Sequence, residues 1–371
     1  MNLRIPGPTP CPDDVLEAMG RQMINHRGPE FAEILARVTE GLKFIFQTRQ
    51  DVIILSCSGT GAMEAMVVNT LSPGDRALVV SIGAFGDRFA NLIETYGASV
   101  TKLDFEWGAA ADPDAIGQAL SADPSIKAVF VTHNETSTGV TNDLGAIANV
   151  CRRERPDVLI CVDAISSLGS LNCPVDAWEL DVVATGSQKG WMVPPGLAMV
   201  SVSERGWKAF DEAKAPRFYF DFGRARDMAL KGQTPWTPVV SIFYALDVAL
   251  QQLVAEGVEG IVERHRRLGE MTRAGVKALG LQLFADERYA SNTVTAVRVP
   301  DGVEGSALNK MLREEYDVVV AGGQGKLAGQ IFRIGHLGWA SEQDLEATLD
   351  ALRAALPRLG FAVPEAAARA G

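Results

Sequence analysis

The sequence predicts an α/β protein: a mainly parallel central sheet in a large domain, followed by a smaller α+β C-terminal domain. Three observations predict it. Short apolar runs alternate with helical patterns from about residue 51 to 203. Those runs are apolar on both faces, as strands covered by helices on two sides must be. Beyond Pro238 the order changes to one long helix and then mixed strands and helices. A length of 371 residues accommodates two such units.

The elements follow in order. Pro6, Pro8, Pro10 and Pro12, with Gly7 between the first two, exclude helix and central strand, so 1–14 reads as an extended arm. Helical patterns cover 13–23 and 29–47. Strand-like runs fall at 51–58, 76–82, 98–103, 127–133, 158–164, 181–187 and 196–203. Helices fall between them, after Gly61 and at 86–96, 113–121 and 143–153. A helix over 239–278, broken near Gly257 and Gly260, leads out of a large domain at 15–255. The small domain, 256–371, carries strands at 293–299, 318–322 and 331–336 and helices at 305–315 and 341–356. Its Ala-rich end, FAVPEAAARAG, reads as frayed.

Composition narrows the function. Hydrophobic residues at 47% and charged residues at 22% suit a globular protein with a sizeable core. The net charge of −11 argues against a nucleic-acid partner, which would need a basic face. No polybasic segment addresses anionic lipid, and no apolar run reaches a membrane span. Five cysteines without a CxxC pair, and an N-terminus unlike a signal peptide, predict reduced thiols in a cytoplasm. The four histidines lie far apart without metal-ligand spacing, so no metal site is expected. Neither a Walker A pattern nor a GxSxG elbow occurs.

Several residues carry chemistry. Lys189, in GSQKG, follows an apolar strand and precedes the rigid Pro194-Pro195-Gly196. Alone it reads as a solvated lysine; at the C-terminal end of a parallel strand it stands where ligands bind. An amine held among apolar neighbours becomes nucleophilic toward carbonyls. Asp163 ends another apolar strand, 26 residues earlier, and a carboxylate there needs a partner. Pyridoxal phosphate (PLP) needs this pair, a lysine for the Schiff base and a carboxylate to keep the pyridine nitrogen protonated. A turn or helix-capping aspartate is the plainer alternative.

Ser58-Gly59-Thr60-Gly61 joins a strand to a helix and could close on a phosphate. It also resembles the start of a dinucleotide-binding GxGxxG, but Glu64 stands at the third glycine. Phe85 in GAFG could stack on a flat ring or simply fill core. Thr136 in THNETSTGV offers a hydroxyl to the same cleft or to its own turn. Arg333, within the apolar strand IFRIGH, demands an anion, either a substrate carboxylate or an internal ion pair.

In combination these residues resemble the class V, fold-type I PLP aminotransferases, in particular the alanine–glyoxylate and serine–glyoxylate (serine–pyruvate) group. The matching stretches are PGPTP (6–10), SGTGAMEA (58–65), GAFGDR (83–88), THNETSTGV (132–140), VDAISSLG (162–169), GSQKGWMVPPG (186–196), TPVVSIFYAL (237–246) and FRIGHLG (332–338). They keep the family's order and span almost the whole chain. The resemblance implies that Lys189 forms the Schiff base and carries the proton, and that Asp163 pairs with the pyridine nitrogen. Phe85 would stack on the ring and Thr136 would contact it. Ser58, Gly59, Thr60 and Gln188 would hold the phosphate, and Arg333 with the Gly7 backbone would bind the substrate carboxylate. It further implies a homodimer with active sites at the interface, the segment Gln233–Thr237 reaching the neighbouring subunit's phosphate. The familiar animal enzymes have Trp where Phe85 stands, His where Thr60 stands and Tyr where Gln233 falls; Thr234 or Thr237 could share that last contact. Cysteine desulfurases share the fold but need a nucleophilic Cys in the second domain, and every Cys here precedes position 174.

The implied reaction is a transfer from a small L-amino acid, alanine or serine, to glyoxylate or pyruvate, ping-pong through pyridoxamine phosphate. Aspartate-, ureidoglycine- or pyridoxamine-using relatives share much of the pattern. An NAD-dependent dehydrogenase or a non-catalytic PLP-fold protein are more distant alternatives.

Overall fold

The computed structural model describes residues 1–364. The large sheet is built from β2 (Asp51–Leu55), β3 (Arg76–Ser81), β4 (Ser99–Asp104), β5 (Ile126–Thr132), β8 (Leu159–Asp163), β9 (Val182–Gly186) and β10 (Ala198–Val202), numbered along the chain. Its order is β2-β10-β9-β8-β5-β3-β4. Every pairing is parallel except those of β10, which runs against both neighbours. β6 (Asn134–Glu135) and β7 (Val140–Thr141) form a small hairpin just beyond β5.

Alternation explains how the sheet is covered. In β5, Val129 and Val131 join one apolar cluster while Ala128 and Phe130 join another. The first cluster packs under α2 (Pro29–Phe46), α6 (Leu144–Glu154) and the front half of α9 (Val240–Ala278). The second packs under α3 (Gly59–Thr70), α4 (Ala84–Thr95) and α8 (Phe222–Ala229). α1 (Asp13–Met19), α5 (Pro113–Ala122) and α7 (Glu204–Glu212) complete the helices flanking this sheet.

A second sheet has the order β1-β12-β13-β11, from β1 (Asn2–Arg4), β11 (Val294–Arg298), β12 (Val318–Gly322) and β13 (Ile331–Gly335). With α10 (Gly305–Tyr316) and α11 (Glu342–Arg358) it encloses a third apolar cluster. α9 leads from one sheet to the other and leaves helical geometry at Gly257, whose φ of 75° suits glycine.

Three details depart from expectation. Residues 2–4 of the arm form an edge strand, parallel to 318–320, because they precede the prolines that block pairing. The first helix stops at Met19, not residue 23, with Gly20 closing it. Helices α7 and α8 fall outside the helical patterns of the sequence; α7 mixes Gly, Lys, Asp and Glu with few apolar residues, which hides its period. Of the Ala-rich end, 365–371 lies outside the described residues.

Candidate active site

In the parallel part of the large sheet, the C-terminal ends of β3, β5, β8 and β9 share one edge. β3 and β5 are neighbours there although β4 intervenes in sequence, the reversal of strand order beside which open α/β sheets form their ligand crevice. The chemistry-bearing residues gather around it.

Asp163 ends β8 in register with Thr132 of β5 and Ala184 of β9. It is 3% exposed. Its Oδ1 accepts one hydrogen bond, from the Ile165 backbone N–H at 2.9 Å. Burial pushes this carboxyl up to about 7, and nearby Glu135 adds to the rise, against the pull of that hydrogen bond and of Arg88 and Lys189. Among the described residues no cation is in contact with this carboxylate.

Lys189 follows β9 by three residues. Its Nζ donates to the Pro6 carbonyl at 2.6 Å. Burial brings the amine down to about 8, Asp163 opposing the fall and the positive Arg333 and Arg88 adding to it. The arm shapes this pocket. Gly7 has a φ of 131°, and a Cβ there would stand 2.5 Å from the Lys189 amine, so only glycine lets the arm pass so close. Thr9 fastens the arm to the same loop by donating to the Lys189 carbonyl at 3.0 Å.

Arg333 lies in the middle of β13 and is 5% exposed. Its Nε and Nη2 donate to the Gly322 carbonyl at 2.9 and 2.7 Å, and its Nη1 to the Thr136 carbonyl at 2.9 Å. Burial lowers it to about 10, with Glu135 opposing. Among the described residues no carboxylate comes within 4.0 Å of this guanidinium, so the internal ion pair considered from sequence is not formed. Thr136 is buried and meets Arg333 through its backbone oxygen.

The turn Ser58-Gly59-Thr60 opens α3, and Ser58 makes no side-chain cap. The first N–H groups of this 12-residue helix are thus left facing the crevice edge. Gly186, Gly59 and the Gln188 amide crowd together beside it: a Cβ on Gly186 would meet Gln188 Oε1 at 3.0 Å and Gly59 at 3.4 Å. Gln188 Oε1 is buried without a hydrogen-bond partner among the described residues. Phe85 stands in the first turn of α4, partly exposed, with the Arg88 guanidinium 4.7 Å from its ring centre.

Gln233, Thr234 and Thr237 are not brought to this crevice within one chain. The Arg27 guanidinium donates to Gln233 Oε1 at 3.0 Å and to the Thr234 carbonyl at 2.5 Å. Thr234 Oγ1 turns back to the Trp236 carbonyl at 2.8 Å, and Thr237 is exposed.

Sequence reasoning missed two members of the site. Glu135 is fully buried, and its Oε2 accepts from the backbone N–H of Phe85 and Gly86 at 3.0 and 3.2 Å, anchoring the start of α4. Gly83 makes room for it, since a Cβ there would fall 2.4 Å from the Glu135 side chain. Arg88 is the other. Its spacing of three from Phe85 on one helix was the available signal.

Elsewhere, His133, His265 and His336 are buried, and burial lowers His133 to about 4 and His265 to about 3. Among the described residues no group of three or more His, Cys, Asp or Glu could hold a metal ion, and the five cysteines are unpaired. Among them, too, no helix is long and apolar enough to cross a membrane.

Comparison with known proteins identifies the family and the fold. The family model described as aminotransferase class-V matches residues 2–341. A protein named soluble hydrogenase, small subunit, of Synechococcus sp. is 48% identical, covering 97% of this chain and 94% of its own. The L-aspartate–glyoxylate aminotransferase of Paracoccus denitrificans is 39% identical over 90% of this chain and 85% of its own. The serine–glyoxylate aminotransferase of Methylorubrum extorquens is 37% identical over 93% and 88%. The crystal structure of alanine–glyoxylate aminotransferase from Nostoc sp. superposes with a TM-score of 0.91 at 30% identity, covering 95% of this chain and 94% of that one.

Proposed function

The chain belongs to the class-V aminotransferases and has their fold-type I architecture, and from that premise we propose that it uses PLP to move an amino group from a small L-amino acid to a 2-oxo acid. Alanine or serine is the donor and glyoxylate or pyruvate the acceptor in this reading. The observation that carries it is the pairing of Lys189 with Asp163 in one crevice, an amine lowered to about 8 and a carboxyl raised to about 7. Each is held near neutrality, which a partner group at that place would relieve.

The residues present fit the cofactor. Asp163 has a free carboxylate oxygen where a protonated ring nitrogen would satisfy it. The uncapped start of α3 suits a phosphate, and the Gln188 amide, whose Oε1 has no partner among the described residues, would turn its NH₂ toward one. Phe85 offers a face for stacking and Thr136 a neighbouring contact. When bound, PLP supplies the electron sink that stabilises a carbanion at the substrate Cα.

The chain supplies the rest. Lys189 Nζ would hold the cofactor and, when free, would be the base that takes the proton from the substrate Cα. The Pro6 carbonyl holds that amine at 2.6 Å, so its lone pair is aimed rather than free to swing. Asp163 keeps its proton-bearing partner charged. Arg333 grips the α-carboxylate in bidentate fashion, with the Gly322 and Thr136 carbonyls fixing the fork. Because one crevice serves both substrates, the first product leaves before the acceptor enters, and the kinetics are ping-pong.

The active unit in this reading is a homodimer of cytoplasmic location, with Gln233, Thr234 or Thr237 reaching the partner's phosphate site. In this reading residues 15–255 are the cofactor-binding domain, and the small domain that begins at 256 brings Arg333. The glyoxylate-using relatives support the acceptor, while their donors differ between aspartate and serine. A panel of alanine, serine, glycine and aspartate against glyoxylate, pyruvate and other 2-oxo acids tests the reading. Alanine or serine should bleach the visible absorption of the bound cofactor without an acceptor. Bound PLP that no amino acid bleaches would refute transamination; a response to aspartate alone would replace the donor.

A further inference from the structure

The crevice contains a cation that the reaction above does not use. Arg88 lies one turn beyond Phe85 on α4, partly buried. Its Nη1 donates to Thr60 Oγ1 at 3.1 Å, and its Cζ sits 4.7 Å from the Phe85 ring centre. Among the described residues no carboxylate is within 4.0 Å, and its other guanidinium N–H groups have no hydrogen-bond partner. Its charge is felt by both Asp163 and Lys189.

The Arg88–Thr60 contact is open to solvent, at the rim of the site, where an arriving anion can reach the guanidinium. The start of α3, one residue from Thr60, carries the positive end of the helix dipole and its open N–H groups. Thr60 and Phe85 can orient a guanidinium, but neither neutralises it. A doubly charged phosphate between α3 and Arg88 would meet both positive groups together, and a half-turn of the half-buried Gln188 amide, whose Oε1 has no partner among the described residues, would add its NH₂ to the same space.

We propose that Arg88 binds the phosphate of the cofactor, holding it from the α4 side while Ser58–Thr60 hold it from the α3 side. The inference rests on the PLP reading above. It makes α4 a two-point clamp: Phe85 meets the ring and Arg88, three residues on, meets the anion. Arg88 keeps Thr60 Oγ1 as its alignment partner, so a hydroxyl at position 60 orients the guanidinium rather than standing alone against the phosphate.

The test compares two cofactor forms that differ only in the phosphate. Dissociation constants for PLP and for pyridoxal are measured by equilibrium dialysis of the full-length wild type, Arg88→Gln and Arg88→Lys, each stripped of cofactor. Arg88→Gln should weaken PLP binding by about 10- to 100-fold, the loss of a charge-assisted contact, and leave pyridoxal within about twofold. Arg88→Lys should recover part of the PLP affinity. Equal PLP affinity in Arg88→Gln and wild type would overturn the proposal. So would an equal loss for pyridoxal, which would make Arg88 a support for the ring or for Phe85. A wild type that binds neither form would overturn the cofactor reading itself along with this one.

Discussion

Two buried aspartates stand at opposite edges of the same sheet, and the chain treats them differently. Asp181, just before β9 at the N-terminal edge, is fully enclosed and saturated. It accepts from the Ile160 N–H at 2.8 Å, Arg152 at 2.5 Å, Ser203 Oγ at 2.9 Å and Arg205 at 2.7 Å. Asp163, at the C-terminal edge, receives one backbone N–H. Arginines repeat the contrast: Arg152 and Arg205 meet a carboxylate, while among the described residues Arg333 meets carbonyls and no carboxylate. A buried charge with all its partners is architecture. A buried charge short of partners is held ready for something that arrives.

That contrast can be broken or sharpened by substitution. Lys189→Ala should have the largest effect, lowering transamination on the order of 10⁴-fold, because the proton carrier is lost. Steady-state rates check it, and near-normal turnover would remove Lys189 from the chemistry. Asp163→Asn should lower kcat by about 10²- to 10³-fold, the scale for losing one preorganised charge contact. It should also leave thermal stability equal or higher, since the empty site no longer encloses a carboxylate lacking partners. A lower melting temperature would instead put Asp163 with Asp181.

The amine gives a pH test. Lys189 is lowered to about 8, so its nucleophilic neutral form is scarce below that pH and dominant above it. PLP capture by the stripped protein should rise roughly 50-fold from pH 6 to 8 and then level off. A rise continuing toward pH 10 would mean an ordinary, solvated lysine. Asp181→Asn completes the series with the smallest effect on chemistry. It should cost about 3 kcal/mol of stability, chiefly by stranding the mostly buried Arg152, seen as a lower melting temperature, with the specific activity of the folded protein unchanged. Lost activity without lost stability would make the N-terminal edge part of the site.

Much of the fold was legible because the strands are apolar on both faces and bounded by turn residues; β12 falls at 318–322 as expected. The main site residues were legible for a related reason: Asp163 and Arg333 are polar exceptions in apolar strands, and Lys189 follows such a strand among glycines. What stayed hidden acts through tertiary contact. Glu135 caps α4 from 50 residues away in sequence, and the Pro6 carbonyl reaches Lys189 across 183. No local pattern encodes either. Gln233 and Thr234 are engaged with Arg27 and Trp236 rather than with the site of their own chain, and the role expected of this segment needs a second copy.

The most direct test is chemical trapping. Borohydride reduction of the purified, cofactor-loaded protein, followed by proteolysis and mass mapping, should place a pyridoxyl group on Lys189. The label should be absent after prior incubation with alanine or serine, which frees the lysine. A group fixed to another lysine, or none in a protein that visibly carries cofactor, would contradict the account.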